Sequence, residues 1–317
     1  MLSRRHIRIK VMQSLYSHLS SKTNQISTSE QAMLRHFDDV VELKLVIISL
    51  LIEIVKYADE FYKDGKKKHL PSSLDLTPNT RFINNKVVLS ICHDKVLMDR
   101  LSKFSGIWIN NDHDIIRKLF NLIRTSELYI DYLESDNTSI NFDKKFIIEL
   151  LNDYILNNKL VHHIFEERSI YWIDDLPFVS TIIFGEIRDD VSMIPKGVFK
   201  DVSDRDFALS LFRDTINNNA EYEKIIIRFA KNWELDRIAK MDQLFLKMSF
   251  SEILSMPNLP VKVSMNEYIE IAKYYSTSKS KLFVNGLLDN FVKTYMREGK
   301  IKKVGRGLIL NSLNDED

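Results

Sequence analysis

Scarcity of glycine and proline is the feature that most constrains how this chain folds. The 317 residues include 8 Gly and 6 Pro, about 4% together, where ordinary usage is about 12%. These two residues make tight turns and interrupt helices, so a chain with few of them favours long helices joined by short polar loops. Hydrophobic residues make up 44%, enough for a sizeable core. The sequence therefore predicts an all-α fold of helical bundles.

The spacing of apolar residues supports this prediction along the whole chain. In residues 5–19, apolar side chains recur at positions 7, 11, 15 and 19, which is one face of a helix. No segment shows the sustained two-residue alternation of a strand. Further helices are predicted at about 31–62, 87–104, 113–134, 142–167, 176–188, 203–218, 221–233, 236–254, 264–275 and after residue 278.

Local signals place some helix boundaries in the last third of the chain. Ser264 and Glu267 have the spacing of a capping box, in which each side chain bonds the backbone of the other residue. This predicts a helix start at Ser264, with Asn266 and Glu267 serving the cap. Gly286 lies inside the final predicted helix, where its simplest role is to allow close packing of a neighbouring helix.

Neither the apolar content nor the cysteine content suggests a membrane or a secreted protein. The longest apolar run, Leu45–Val55, has eleven residues and includes Glu53, whereas a bilayer span takes about twenty. We interpret it as a buried stretch of a long amphipathic helix. The single thiol, Cys92, cannot form an internal disulfide and fits a reducing cytosol. The predicted location is the cytoplasm.

The sequence lacks the recurrent motifs of catalytic and cofactor sites. It has no glycine-rich phosphate loop, no paired C-x-x-C and no H-E-x-x-H. His162 and His163 are adjacent and project about 100° apart on a helix, so they do not face one ion. Cys92 precedes His93, but neighbours in sequence do not give the geometry of a thiol and its base. We expect neither an enzyme nor a resident cofactor or metal.

Charge is unevenly distributed, although the net charge is only +1. Residues 1–29 hold five basic residues and no acid, and residues 292–307 hold six basic residues against Glu298. The remainder has 34 basic and 43 acidic residues. The near-neutral total therefore does not exclude a polyanionic partner such as nucleic acid, which would bind the basic segments.

The first predicted helix combines groups that recognise single-stranded nucleic acid. Arg5 and Tyr16 are eleven residues apart, so they project within about 20° of each other, with Ile9 close by. Arginine contacts phosphates and stacks on bases, and tyrosine is a stacking platform for unpaired bases. Arg4 and Arg8 project toward the apolar side. A solvated first turn with a half-buried tyrosine explains the same pattern, and the helix alone does not decide between the two.

Two groups of residues resemble the NusB family of transcription antitermination proteins. The first is Arg4-Arg5-His6-Ile7-Arg8 followed by Gln13-Ser14-Leu15-Tyr16. The second is a longer series in the last third of the chain. It comprises Trp233-Glu234-Leu235-Asp236-Arg237, Asp242, Glu252, Leu259–Glu267, Glu270–Lys273 and Phe283–Asp289.

This resemblance implies a domain organisation and a set of partners. Residues 1–40 and 201–292 would be NusB-like helices, 41–200 an inserted or diverged helical region, and 293–317 a basic extension with an acidic end. Family members bind boxA-type RNA of nascent ribosomal RNA transcripts, together with a small-subunit ribosomal protein (NusE) and RNA polymerase. The resemblance thus implies a noncatalytic RNA-binding antitermination factor.

The resemblance also suggests site residues, residue by residue. Asp236 and Asp242 match acidic positions that contact the ribosomal protein or line the RNA edge. Lys279 stands where family members often carry an acid, which would favour phosphate attraction over base discrimination. Asn285 is either a structural hydrogen bonder or an RNA contact. The expected RNA-binding residues are Arg4, Arg5, Arg8, Tyr16, Tyr275, Lys279, Phe283 and Asn285.

Two other functional classes remain to be weighed. The runner-up is a helical protein–protein interaction scaffold that has lost RNA binding. NusB-like domains also occur fused to RNA cytosine methyltransferases, but that activity needs a cofactor loop and a catalytic cysteine motif that this sequence lacks. The basic segment 293–306 would extend the RNA footprint or form a solvated tail.

Overall fold

The computed structural model describes residues 2–21, 25–109, 114–230 and 234–308, without the side chains of Leu74, Ile109 and Arg306. It is 77% helical, and these ranges contain no strand, which confirms the all-α prediction. A π-helical turn covers Leu151–Leu156, and 3-10 turns cover Leu235–Arg237 and Gly305–Gly307. The α-helices are α1 (Arg4–Ser20), α2 (Ile26–Lys66), α3 (Ser73–Leu76), α4 (Lys86–His93), α5 (Lys95–Ser102), α6 (Ser105–Ile109), α7 (Asp114–Arg124), α8 (Glu127–Glu134), α9 (Ile140–Leu150), α10 (Lys159–Arg168), α11 (Trp172–Arg188), α12 (Val202–Asn217), α13 (Asn219–Phe229), α14 (Lys240–Ser255), α15 (Val261–Tyr275) and α16 (Ser280–Arg297).

The helices form two compact units. The terminal unit consists of Met1–Phe37 and Phe199–Asp317, and the central unit of Asp38–Val198. Helix α2 contributes its first turns to the terminal unit and the rest of its length to the central unit.

Helix α14 is the core of the terminal unit. It packs against α1, α12, α13, α15 and α16, and its residues from Leu244 to Ile253 are all buried. A helix that is enclosed on every side needs apolar side chains all round, and any polar group on it needs a partner. Lys247 meets this requirement by donating to Asn219 and Glu223, each at 2.7 Å.

Aromatic rings fill much of the core of the central unit. Phe120 of α7 lies edge-on to Tyr57 and Phe61 of α2, with ring centroids 5.7 and 5.5 Å apart. The rings of Tyr132 and Phe146 stack at 3.7 Å between centroids. Such pairs add to the stabilisation from burying their area.

The apolar run Leu45–Val55 lies within α2 and is buried apart from the partly exposed Glu53. This confirms its prediction as a buried stretch of a long helix. The polar Ser49 in this run is satisfied, because the indole N–H of Trp108 donates to its hydroxyl at 2.9 Å. Among the described residues, no helix combines the length and the apolarity that crossing a bilayer requires.

Three helices that the sequence predicted as continuous in the central unit are interrupted in the structure, so these predictions are wrong. In each of them a polar residue caps a new helix. The stretch 87–104 breaks at Asp94, whose carboxylate accepts from the backbone N–H of Leu97 and caps α5. The stretch 113–134 breaks at Ser126, which caps α8 in the same way. The stretch 142–167 ends one helix in the π-helical turn and starts α10 at an Asn158 cap. Side-chain caps compete with helix continuation at such residues.

The predicted capping box at Ser264 is also wrong. Helix α15 begins one turn earlier, at Val261, directly after Pro260. Ser264 and Glu267 therefore lie inside the helix and their side chains bond to other elements. Gly286 does not serve close packing either, because an added Cβ would meet nothing within 4 Å.

Candidate functional site

Helix α1 is held in the terminal unit by an apolar stripe and by charge pairs. Ser3 caps its first turn by accepting from the backbone N–H of His6. Ile7, Val11 and Leu15 are fully buried at the spacing that the sequence predicted. The polar residues on the buried side of this helix need partners from the neighbouring helices.

Arg8 is one of these residues. Its side chain is 2% exposed, and its Nε and Nη2 donate to the two carboxylate oxygens of Glu252 in α14 at 2.8 and 2.5 Å. The hydroxyls of Ser264 and Tyr268 donate to the same oxygens at 2.7 and 3.0 Å. Glu252 therefore receives four hydrogen bonds, and we call these four residues the buried charge cluster.

Two members of the buried charge cluster, Arg8 and Tyr268, keep their protons. Burial lowers the pKa of Arg8, but the hydrogen bond and charge of Glu252 outweigh this and hold that pKa above its ordinary value. Burial also raises the pKa of Tyr268 well above its usual range, so the phenol stays protonated and donates. Arg8 is thus enclosed inside the unit, with its Nε and Nη2 engaged by Glu252. The prediction that Arg8 contacts RNA is not supported by this position.

Arg5 lies at the surface of α1, in contrast to Arg8. Its side chain is 47% exposed and its Nε and Nη2 donate to the two carboxylate oxygens of Glu267 in α15, at 2.9 and 2.8 Å. This bidentate hydrogen bond raises the pKa of Arg5, and it lowers the pKa of Glu267. A phosphate would use the same guanidinium edge.

Arg4 forms a third pair, with α12. Its Nε donates to Asp204 at 3.1 Å, and its guanidinium lies over the ring of Phe207 at 4.9 Å from the centroid. The side chain is still 39% exposed. Arg4 is therefore held by a single hydrogen bond and a ring face, and keeps part of its surface open to solvent.

Tyr16 is on the exposed side of α1 with 45% of its surface accessible. An ideal helix places it about 16 Å from Arg5 along the axis. The two side chains that the sequence predicted to share an edge of α1 are therefore both at the surface. Together they give the helix one cationic and one aromatic contact point.

A second set of predicted residues surrounds a cleft at the start of α16. The cleft has a volume of about 270 Å³, and its lining includes Arg237, Asp242, Lys279 and Phe283. Lys279 is exposed and Phe283 is half-buried. The cleft thus combines an aromatic ring with cationic side chains, a combination that suits unpaired nucleotides.

Asp242 faces this cleft but is engaged within the protein. Its side chain is buried, and the hydroxyls of Ser276 and Ser280 donate to its two oxygens at 2.6 and 2.8 Å. It therefore ties the start of α14 to the start of α16. Asp236, in the 3-10 turn before α14, is exposed. Of the two predicted partner-binding acids, only Asp236 is on the surface.

The remaining predicted residues flank the same end of the unit. Tyr275 ends α15 and is half-buried, and Asn285 lies in the second turn of α16 with intermediate exposure. Lys273 near the end of α15 is exposed and lies over the ring of Tyr274 at 5.5 Å. The exposed cations at this end include Lys273, Lys279 and Arg237.

The contacts of α1 show how it runs relative to α14. Arg4 and Met256 line one groove, and Arg8 pairs with Glu252. As residue numbers rise along α1, the residue numbers of its contacts on α14 fall, so the two helices are antiparallel. The half of α1 that carries Tyr16 lies toward the beginning of α14, where the cleft is.

The basic C-terminal segment is partly folded onto this unit. Lys303 is buried and its Nζ donates to the backbone carbonyl of Met256 at 2.9 Å, at the end of α14. The N–H of Val304 donates to the carbonyl of Pro257 at 3.0 Å. Burial lowers the pKa of Lys303 to about 8. Lys303 therefore serves the fold, and the basic segment is not simply a solvated tail.

Sequence reasoning missed the carboxylates that hold the arginines. Glu252 belonged to a matched motif without a role of its own, Glu267 was assigned to a helix cap, and Asp204 was not singled out. A signal for Glu252 was available, because it is the only acid in the apolar stretch 244–254. Its partner on α1 is 244 residues away in sequence, and no local pattern identifies such a pair.

Charge differs between the two units. The terminal unit holds 25 Lys and Arg against 18 Asp and Glu, and the central unit holds 20 against 26. The terminal unit, which carries the predicted site residues, is therefore the more attractive one for a polyanion. Within the described residues, no group of three or more His, Cys, Asp or Glu is arranged to hold a metal.

The family match falls almost entirely in the terminal unit. The profile of the NusB family matches residues 193–293. The protein named transcription antitermination protein NusB of Salinibacter ruber is 46% identical over 110 residues, 35% of this chain and 69% of that protein. No solved structure matches significantly.

Two further proteins of the same name are similar to this chain. The one from Chloroherpeton thalassium is 40% identical over 117 residues, 37% of this chain and 56% of that protein. The one from Clostridium kluyveri is 36% identical over 121 residues, 38% of this chain and 69% of that protein. The alignments thus leave most of this chain unmatched.

Proposed function

Because the chain belongs to the NusB family of transcription antitermination proteins, we propose that it is a noncatalytic antitermination factor that binds RNA. Its proposed ligand is a boxA-like single strand in nascent ribosomal RNA transcripts. Its proposed partners are a small-subunit ribosomal protein acting as NusE and the RNA polymerase elongation complex. Such a factor works where transcripts are made, in the cytoplasm.

The observation that carries this proposal is the exposed edge of α1. Arg5 and Tyr16 are both accessible on that helix, and they supply a phosphate contact and a stacking platform. The cleft with Lys279 and Phe283 belongs to the same unit and offers the same two chemistries. An RNA strand that reached from one to the other would contact both sets.

We assign the RNA face to the accessible residues among those predicted. Arg8 is left out of the RNA face, because Glu252 engages it in the buried charge cluster. Asp242 is left out of the partner contact, because Ser276 and Ser280 engage it. Asp236 remains the proposed contact for the ribosomal protein. The proposed RNA face consists of Arg4, Arg5, Tyr16, Tyr275, Lys279, Phe283 and Asn285.

The proposed mechanism is cooperative assembly. RNA and the ribosomal protein each bind weakly alone and more tightly together, so each raises the affinity of the factor for the other by the same ratio. The central unit nearly coincides with the region 41–200, which we propose is an insertion into the family fold. Its bounds, 38–198, and the family match at 193–293 support this proposal.

Substitutions on α1 test the RNA face. Arg5→Ala and Tyr16→Ala should each weaken binding of a boxA-like strand, by roughly five- to a hundredfold for the stacking tyrosine. Fluorescence anisotropy at several salt concentrations would measure the affinities. Arg228→Ala is the control, since Arg228 is also exposed and paired with a carboxylate, Glu298, but lies on α13. If both α1 variants bind as the wild type does, the RNA face is wrongly placed.

The alternative function is a helical interaction scaffold without RNA binding. The central unit favours it, because this large acidic region lies almost entirely outside the family match. The ratio of absorbance at 260 and 280 nm after purification separates the two at little cost. A protein free of nucleic acid, with no binding of boxA-like RNA at low salt, would favour the scaffold.

A further inference from the structure

The arginines of α1 differ in how firmly their carboxylate partners hold them. The Arg8–Glu252 pair is buried, and Glu252 has two more donors. Arg4 gives its carboxylate a single hydrogen bond. Arg5 is held by two hydrogen bonds to Glu267, yet both side chains are accessible, 47% and 19%. Among these three pairs, only Arg5–Glu267 has a carboxylate on the whole Nε–Nη2 edge, which suits a phosphate, and leaves both side chains accessible to solvent.

Glu267 has a second cation within reach. Its Oε2 lies 3.7 Å from Nη1 of Arg8, whose Nε and Nη2 are taken by Glu252. If Glu267 left Arg5, a small rotation would bring it to Arg8. The carboxylate would thus keep a partner, and so its release from Arg5 would not leave a partly buried charge uncompensated.

We propose that Glu267 is an electrostatic latch, which occupies Arg5 in the free protein and moves to Arg8 when an RNA phosphate takes its place. The inference rests on the proposed function, and it adds that Glu267 competes with the RNA phosphate for Arg5. The latch makes binding at Arg5 an exchange of one anion for another. It thereby restrains binding of arbitrary polyanions, because a phosphate must outcompete a carboxylate that is already in place.

The latch has a distinct consequence for salt dependence. A free arginine that neutralises a phosphate releases counterions, and the salt slope steepens by about 0.7 per contact on a single strand. Arg5 in the latched state is already neutralised by Glu267, so its contact contributes less to the slope. Removing the charge of Glu267 should therefore both tighten binding and steepen its dependence on salt.

The test compares Glu267→Gln with Glu270→Gln in the full chain. Glu270 lies one turn further along α15, pairs with Lys281 at 3.9 Å and acts on Arg5 through its charge alone, whereas Glu267 accepts the hydrogen bonds of Arg5. Its substitution therefore removes the same charge without opening the latch. The probe is a poly-uridylate single strand, with a boxA-like strand alongside. Glu267→Gln should bind poly-uridylate roughly three- to fivefold more tightly at low salt, with a slope steeper by about 0.7.

Several outcomes would overturn the latch. Weaker binding by Glu267→Gln would mean that Glu267 orients Arg5 for the RNA. An equal gain in Glu270→Gln would mean a general charge effect, and a gain that persists in Arg5→Ala/Glu267→Gln would mean that Arg5 is not the site. Unchanged poly-uridylate affinity refutes it as well. The proposed function fails separately, when the wild type shows no preference for the boxA-like strand over poly-uridylate.

Discussion

Glu252 places a carboxylate in the core of the terminal unit, where its side chain is 0% exposed. The cost of moving that charge out of water is offset by Arg8 and by the hydroxyls of Ser264 and Tyr268. Removing one member of a buried pair leaves the other charge uncompensated, which costs far more than the net value of the pair. The two glutamates that hold α1 should therefore differ sharply in their effect on stability.

We predict that Glu252→Gln lowers the free energy of unfolding by about 3–5 kcal/mol, while Glu267→Gln changes it by about 1 kcal/mol or less. Chemical denaturation followed by circular dichroism would measure both. The double variant Arg8→Met/Glu252→Gln should recover part of the loss, since it leaves no unpaired charge. Equal effects of the two single substitutions would contradict the assignment of Glu252 as a buried anchor.

Helix α14 shows how one element organises the terminal unit. Its apolar side chains face several helices at once, and its end is capped by the C-terminal segment through Lys303 and Met256. Gly307 closes this cap, because a Cβ there would lie 2.3 Å from the carbonyl oxygen of Pro257. The close approach requires glycine at this position.

We therefore predict that Gly307→Ala destabilises the protein by about 1–3 kcal/mol, the usual cost of overpacking. Gly286→Ala is the matched control. A Cβ at Gly286 meets nothing within 4 Å and the residue lies inside α16, so alanine should stabilise the helix by about 0.5–1 kcal/mol. Thermal unfolding would compare the two. A neutral Gly307→Ala would mean that the C-terminal segment does not cap α14.

At the scale of the whole molecule, the two units carry net charges of opposite sign. The terminal unit has an excess of seven basic residues, and the central unit has an excess of six acidic residues. A polyanion should therefore be attracted to the first and repelled by the second. The proposed RNA face lies entirely in the terminal unit.

We predict that a boxA-like RNA protects backbone amides of α1, α15 and α16 from hydrogen exchange and leaves those of residues 38–198 unchanged. Mass spectrometry of the free protein and of the complex would detect the difference. Arg5→Ala at the same RNA concentration is the control, because its weaker binding should reduce the protection. Protection concentrated in the central unit would relocate the RNA site to the insertion.

Much of the fold follows from local sequence alone. Few glycines and prolines and the apolar spacing determine an all-α chain, and the buried run in α2 was predictable from its composition. Helix lengths were less predictable at polar residues such as Asp94 and Ser126, which are compatible both with continuing one helix and with capping the next. Which of the two occurs depends on how both helices pack, and local sequence does not show that packing.

The resemblance and the charge pattern determined the family and the terminal segments where nucleic acid is expected. Helical spacing turned Arg8, but not Arg5, toward the apolar side of α1, and only the tertiary structure showed how deeply each is buried and which carboxylate it meets. One is enclosed by Glu252, and the other is exposed beside Glu267. The physical reason is that a side chain is buried or accessible according to what packs against it, and here those partners come from the far end of the chain.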